Sequence, residues 1–381
     1  MRFLCPLSVF MLFAFFSCGK DKPSDPIDPS PPVVPPPTIL TLREQYSRAI
    51  ASWPTANWDE GIERRELAGM VDNPNMGKEK PALIALGKAL FWDNNVGSGT
   101  RSCLSCHNPE NYWTDAKRTA DGIATHHRNT PTMQNVWTLE GHLFHDGRAK
   151  TFREQIAEAI ESPIEMGGNT YTLPAKLQAV PGYVRMYEEA YGTRELTREG
   201  LLDAIAAYSK TISSGITAFD RFVAGDYQSL NDEQIEGLHL FRTKGQCINC
   251  HNGPFFTDLN YHNLGYAVDV FGKLDDGRYI ATKNKDDLGK IRTPGLRNVV
   301  HTPPYMHNGS VATLTEIISL LSQKMPQSPG QQIHGELSPH IKSLKLSSKE
   351  QNAILAFLNA LSSERPNVPA PELPAPVNSI E

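Results

Sequence analysis

Two five-residue clusters, Cys103-Leu104-Ser105-Cys106-His107 and Cys247-Ile248-Asn249-Cys250-His251, hold the most specific chemistry in this chain. The Cys-x-x-Cys-His pattern is that of covalent haem attachment. On a helix the first Cys and the His lie four apart and share a face, so two thiols can add to the porphyrin vinyls while the imidazole meets the iron from below. A redox dithiol or half of a zinc site uses the same residue types, but the first expects a βαβ setting and the second expects four ligands close together. With two fixed haems, electron transfer is the minimum function. Catalysis needs more: an open or displaceable sixth position on one iron, and a group beside it that takes a proton from one peroxide oxygen and returns it to the other.

The elements that must position these clusters read as helices. Leu83, Leu86, Leu90 and Phe91 recur at helical spacing before the turn-rich Asp93 to Gly99, which delivers the chain into the first cluster. Gln234 to Phe241 leads into the second cluster in the same way, so the chain repeats a helix-then-haem plan. Gln155, Ile156, Ala159 and Ile160 predict a helix stopped near Pro163, and Leu201, Leu202, Ile205, Tyr208 and Ile212 line one face of a longer one, after which Phe219 to Asp226 closes the first domain. Ile354, Phe357, Leu358 and Leu361 mark a last amphipathic helix, and Leu42 to Ala51 a short early one. Gly265 to Gly289 reads as a long loop with a small hairpin at Asp276-Gly277. No long alternating strand pattern competes, and the fold class is all-α.

A length of 381 residues suits two ordinary domains with one haem each, expected over 41–228 and 229–365, with a Pro-rich tail over 366–381. The net charge of −5 and pI near 6.2 give no basic excess to attract nucleic acid. Four of the six cysteines serve the clusters; Cys5 and Cys18 fall in a leader, so no disulfide need be invoked. That leader, residues 1–18, carries Arg2 and an apolar run from Val9 to Phe16, too short for a membrane span and typical of an export signal. Its end at Ser17-Cys18-Gly19 resembles a bacterial lipoprotein cleavage site, with Cys18 as the lipidated first residue. Residues 19–40 are dense in proline and read as a tether. The expected address is the periplasm, at a membrane surface by lipid alone.

The run Leu86 to Asp93, the first cluster with Asn108-Pro109, Arg128-Asn129-Thr130-Pro131-Thr132, Asp146-Gly147-Arg148 and Pro163-Ile164-Glu165-Met166-Gly167 together resemble the bacterial di-haem cytochrome c peroxidase family, which also contains MauG-type enzymes. Arg292-Thr293-Pro294-Gly295-Leu296-Arg297-Asn298 and Pro304-Tyr305-Met306-His307-Asn308-Gly309-Ser310 extend the likeness, which covers about residues 80 to 362 in the right order. It implies two tandem cytochrome c-like domains. His107 and His251 become proximal ligands, the first haem peroxidatic and the second the one that receives electrons. Glu165 matches the family's distal acid/base and Gln155 a distal amide. His126 or His127 falls where such peroxidases carry a displaceable sixth ligand. Asn129, Thr302 and Pro304 match oxygens around a calcium ion, a hard cation whose carbonyl ligands leave little sequence signature.

Two positions depart from the family. His145 stands where a Trp ring usually lies between the haems, which weakens any route that stores a hole there. Leu321 falls where peroxidases place Met and MauG-type enzymes Tyr on the second iron; Met325, one helical turn on, can substitute, with Met306 and His307 as competitors. A thioether there raises the haem potential and suits electron uptake. The expected activity is reduction of hydrogen peroxide with electrons from a small cytochrome, a cupredoxin or quinol. A MauG-like oxidase and a non-catalytic di-haem carrier are the rivals; a homodimer is left open.

Overall fold

The computed structural model describes Gly19 and residues 40–325 and 333–375; the expected leader, Cys5, Cys18, nearly all of the tether and the end of the tail lie outside the described residues. In chain order the helices are α1 (Leu42–Tyr46), α2 (Pro81–Trp92), α3 (Cys103–Cys106), α4 (Phe152–Glu161), α5 (Leu173–Gln178), α6 (Pro181–Tyr191), α7 (Arg198–Lys210), α8 (Ala218–Val223), α9 (Asp232–Arg242), α10 (Tyr279–Thr282), α11 (Leu314–Ser322) and α12 (Ser348–Asn359). The described residues pair into one antiparallel two-stranded sheet, β1 (Tyr261–His262) with β2 (Ile291–Arg292), Tyr261 opposite Arg292. The chain is helix-rich with little sheet, as its periodicity implies.

Two helix crossings repeat one design. α2 packs on α7, and α9 on α12. At each crossing a glycine lets the backbones touch: a Cβ on Gly87 would collide with the Ala204 carbonyl, and one on Gly237 with the Ala353 carbonyl. One turn further along each helix, aromatic rings meet edge to face, Phe91 with Tyr208 at 5.5 Å and Phe241 with Phe357 at 5.3 Å. The helix leading into each Cys-x-x-Cys-His cluster is thereby locked to the last helix of the same half.

The apolar residues form two cores within a compact unit that begins at Leu40. One runs from Leu86 to Ile212; the other gathers Phe219 to Leu361 and also Tyr46, Trp53, Ala56 and Leu67. The early segment, expected with the first half, therefore packs with the second, as do Phe219 and Phe222. Arg242 explains the capture of the early segment. Its guanidinium lies over Tyr46 and Trp53, 5.5 and 5.2 Å from their centroids, and pairs with Glu66.

Local readings also shift. α1 stops at Tyr46 rather than Ala51 because the Trp53 indole donates back to the Tyr46 and Arg48 carbonyls, at 2.9 and 3.0 Å, and turns the chain. The hairpin in the Gly265–Gly289 loop forms at Val268 and Leu274, where the Asp269 carboxylate caps the turn, and not at Asp276-Gly277, which pairs in parallel with Lys290. Helices α5 and α6, each opened by a proline in its first turn, were not anticipated from the sequence.

Candidate active site

Both haem-attachment clusters fold so that the histidine returns over its first cysteine. The His107 amide donates to the Cys103 carbonyl at 2.9 Å and the His251 amide to the Cys247 carbonyl at 2.8 Å, although the first cluster is an α-turn and the second a tighter 3-10 turn. Each ring is then aimed by a carbonyl: His107 Nδ1 donates to Trp113 O at 3.2 Å, and His251 Nδ1 to Phe256 O at 3.0 Å. A carbonyl only accepts, so Nδ1 carries the proton and the Nε2 lone pair is left for a metal. Burial holds both imidazoles below their ordinary pKa and so neutral.

The thiols argue against a redox dithiol. Burial pushes Cys103, Cys106 and Cys247 up to about 12, and Cys250 up as well, whereas reactive dithiols have depressed values. Cys250, Asp258 and His262 do bring ligand atoms within 4.8 Å of one another. That is three groups where a structural zinc site takes four, and one of them is a cluster thiol.

Buried polar groups around the clusters fit haem instead. Arg292 is buried with no carboxylate partner among the described residues; it donates only to the Phe144 and Thr293 carbonyls at 3.3 Å, and burial lowers its pKa to about 10. The Trp137 indole N–H and Gln246 Oε1 are buried without partners among the described residues. A buried cation lacking an anion is costly, and a porphyrin propionate is an anion of the required kind.

Glu165 lies in the turn after α4. Its backbone carbonyl accepts from Ile123 N at 3.0 Å, and its carboxylate bears electrostatically on Cys103, Cys106 and His107. His126 Nε2 stands 3.1 Å from Glu165 Oε1, and His127 stacks on His126 at 4.5 Å. Gln155 is half-buried on α4, and no hydrogen bond among the described residues joins it to Glu165.

The second half builds its equivalent region the same way. Turns bridged at Leu143–Ala149 and at Tyr305–Val311, with Phe144 and Met306 left-handed at φ 62° and 69°, lead to Thr151 capping α4 and Thr313 capping α11. Glu165 follows α4; Met325 follows α11. Met325 is 2 % exposed, whereas Leu321 is half-buried on α11. Met306 is half-buried, and His307 is buried with Nε2 3.6 Å from Asp275.

Between the halves, His145 Nε2 donates to the Asn129 carbonyl at 3.0 Å, and burial together with Arg128 pushes its pKa down to about 3. Asn129 Oδ1 and the Thr302 and Pro304 carbonyls accept no hydrogen bond among the described residues. Sequence reasoning missed the ionic centre beside them: Arg128 bonds Asp275 through Nε and Nη2, at 2.8 and 2.6 Å, and Asp146 through Nη1 at 2.7 Å. Arg128 and Asp146 lie in recognised motifs, but nothing local marks Asp275 as their partner.

The family model of the di-haem cytochrome c peroxidase matches residues 81–228. The chain is 33% identical over 328 residues to cytochrome-c peroxidase IdrP1 of Pseudomonas sp. (strain SCT), covering 77% of this chain and 83% of that protein. It is 30% identical over 326 residues to methylamine utilization protein MauG of Methylophilus methylotrophus, covering 83% and 94%. Among solved structures, a MauG-like protein associated with microbial copper homeostasis superposes with a TM-score of 0.68 at 28% identity, covering 81% of this chain and 96% of that one. This chain therefore belongs to the di-haem cytochrome c peroxidase family and is an enzyme of the cytochrome-c peroxidase type.

Proposed function

We propose that this enzyme reduces hydrogen peroxide to water at the first haem with electrons received at the second. The observation that carries the reading is the asymmetry of two otherwise matching regions: a carboxylate, Glu165, follows α4, and a buried thioether, Met325, follows α11.

Haem c, held through Cys103 and Cys106 and through Cys247 and Cys250, supplies the iron that binds peroxide and passes the electrons. His107 and His251 would serve as proximal ligands through Nε2. Glu165 takes the proton from one peroxide oxygen and gives it to the other, while Gln155 orients the pair. One peroxide, two electrons and two protons give two waters. Met325 would supply the sixth ligand of the second iron, in place of the unsuitable Leu321, and would raise its potential. His145, a hydrogen-bonded imidazole at the position where the family usually has Trp, would serve poorly as a hole carrier, which favours a peroxidase over a MauG-like oxidase. Asn129 Oδ1 and the Thr302 and Pro304 carbonyls hold calcium. Electrons arrive from a small cytochrome c or cupredoxin. The chain is exported and tethered by a lipid on Cys18.

The test is peroxide-dependent oxidation of a reduced cytochrome by the protein, shown by mass to carry two haems. Glu165→Gln is expected to lower kcat by about 10²- to 10⁴-fold with both haems retained. A variant as fast as the parent would remove Glu165 from the chemistry. A parent that leaves peroxide untouched would return the chain to the electron carriers.

A further inference from the structure

We propose that Trp113 and Trp92 form a relay that carries oxidising equivalents from the His107 side of the first haem out to solvent when peroxide arrives and no electron follows from the second. This deepens the peroxidase reading and rests on it.

The relay starts at the proximal histidine. His107 donates through Nδ1 to the Trp113 carbonyl at 3.2 Å, so the residue that aims the imidazole is the one whose indole leads away from it. Trp113 is left-handed at φ 65°, a conformation that a bulky residue keeps only where its surroundings hold it, and it is 3 % exposed. Its ring enters an aromatic cluster at the crossing of α2 and α7: Trp92 lies 6.3 Å away between centroids, Phe91 6.0 Å and Tyr208 6.4 Å, and Trp92 lies 5.6 Å from Tyr208. Rings tilted or edge to face at these separations are in contact. Phe91 and Tyr208 are buried, whereas Trp92, the last residue of α2, is half-buried and is the member that solvent reaches.

The four side chains differ in how they bear a missing electron. The benzene ring of Phe91 is too hard to oxidise. Tyr208 must shed its phenolic proton on oxidation, and its hydroxyl is buried with no partner among the described residues to take it; burial also pushes its pKa up. An indole can pass the charge on without giving up a proton, which leaves Trp113 and Trp92 as the conducting pair. At Trp92 the charge stops. The Lys88 ammonium lies 5.6 Å from the ring centroid and disfavours a second positive charge there, so the oxidised indole yields its proton to solvent.

The electrons balance on peroxide, which takes two of them with two protons as its O–O bond breaks and leaves as two waters. Trp92 supplies both electrons, one at a time through Trp113. A solvent water then forms a C–O bond to the indole, and the indole C–H and a water O–H release the two protons. The net change is one hydroxylated Trp92 and one water per peroxide, with the damage kept at the surface.

The experiment gives the two-haem protein hydrogen peroxide without reductant or dioxygen, in water enriched in the heavy oxygen isotope, and maps added oxygen by peptide mass. Trp92 is expected to gain one heavy oxygen, while Trp58, half-buried in the second core, stays intact. Trp113→Phe, which keeps a ring in the cluster, should lower the labelling of Trp92 severalfold although Trp92 itself is unchanged. Oxygen drawn from peroxide instead of water, or equal oxidation of Trp58 and Trp92, would overturn the relay whether or not Trp113→Phe folds, and so would undiminished labelling in that variant. Peroxide-dependent oxidation of a reduced cytochrome, expected to be unchanged in Trp92→Phe, upholds the peroxidase even where the label misses Trp92. Labelled Trp92 without cytochrome oxidation would keep the relay and sink the peroxidase.

Discussion

His145 and His307 meet across a single residue: His145 Nε2 donates to the Asn129 carbonyl at 3.0 Å, and the Asn129 amide donates to the His307 carbonyl at 2.7 Å. The two histidines occupy matching turns of the two halves, one residue after left-handed Phe144 and Met306. Burial drives the pKa of His145 down to about 3, with help from Arg128, and that of His307 down to about 4. Both lie below the unfolded imidazole value of about 6.5. Between these limits the unfolded chain binds protons that the folded chain refuses. The stability gained by keeping the rings neutral is complete above about pH 6.5 and is lost as pH falls toward the folded values, at up to about 1.4 kcal/mol per pH unit for each ring.

The corresponding measurement is thermal unfolding between pH 7 and 5. Tm is expected to fall across that range, and His145→Gln, which keeps a donor for Asn129 but cannot titrate, should flatten the slope. An unchanged slope in the variant would mean that His145 does not carry this dependence.

The matched glycine crossings give a second expectation. Alanine favours helix over glycine by about 1 kcal/mol in an open position. At Gly87 and Gly237 the added methyl would strike a backbone carbonyl that cannot rotate away, so an overpacking cost at the upper end of about 1–3 kcal/mol should outweigh the propensity gain. Each of Gly87→Ala and Gly237→Ala should therefore lower Tm by several degrees. A rise in Tm for either would show that the helices can part without loss.

How far these relationships could be read in advance depends on their range. The clusters at Cys103 and Cys247, and the helices before them, are written in patterns of three and four residues, and the fold repeats those patterns faithfully. Glu165 and Gln155 draw attention only through flanking motifs, since an isolated carboxylate at a helix end carries no signal of its own. Tyr46 and Trp53 joined the second core because Arg242 draws them there, a contact between distant segments that periodicity cannot register. The Arg128–Asp275 pair escaped for the same reason: Asp275 sits in a loop recognised only by its composition.

Met325 offers a test of ligation that does not depend on turnover. Met325→Leu conserves volume at a buried position, so it should cost less than about 1.5 kcal/mol of stability. Loss of the thioether should nonetheless lower the midpoint potential of the second haem and change the spin state of its iron, while the first haem stays as it was. Redox titration followed at each haem decides this. An unaltered second potential would pass the role to Met306 or His307.

Calcium should matter through Asn129, the residue that joins His145 to His307. Its side-chain nitrogen is held by the Lys117 carbonyl at 2.7 Å, so on the proposed calcium reading Oδ1 is the atom that would meet the ion, together with the Thr302 and Pro304 carbonyls. A bound ion would tie the segment before His307 to the one that carries Arg128, and its binding energy would add to folding stability by mass action, about 2.7 kcal/mol at a hundredfold excess over Kd. Chelation is therefore expected to lower Tm and to slow electron transfer between the haems, with calcium restoring both and magnesium, which demands a tighter octahedral shell, restoring neither. Asn129→Ala should behave as the chelated parent does and stop responding to calcium. If chelator leaves Tm and inter-haem transfer untouched, these three oxygens hold no calcium, and Asn129 acts through its two backbone hydrogen bonds alone.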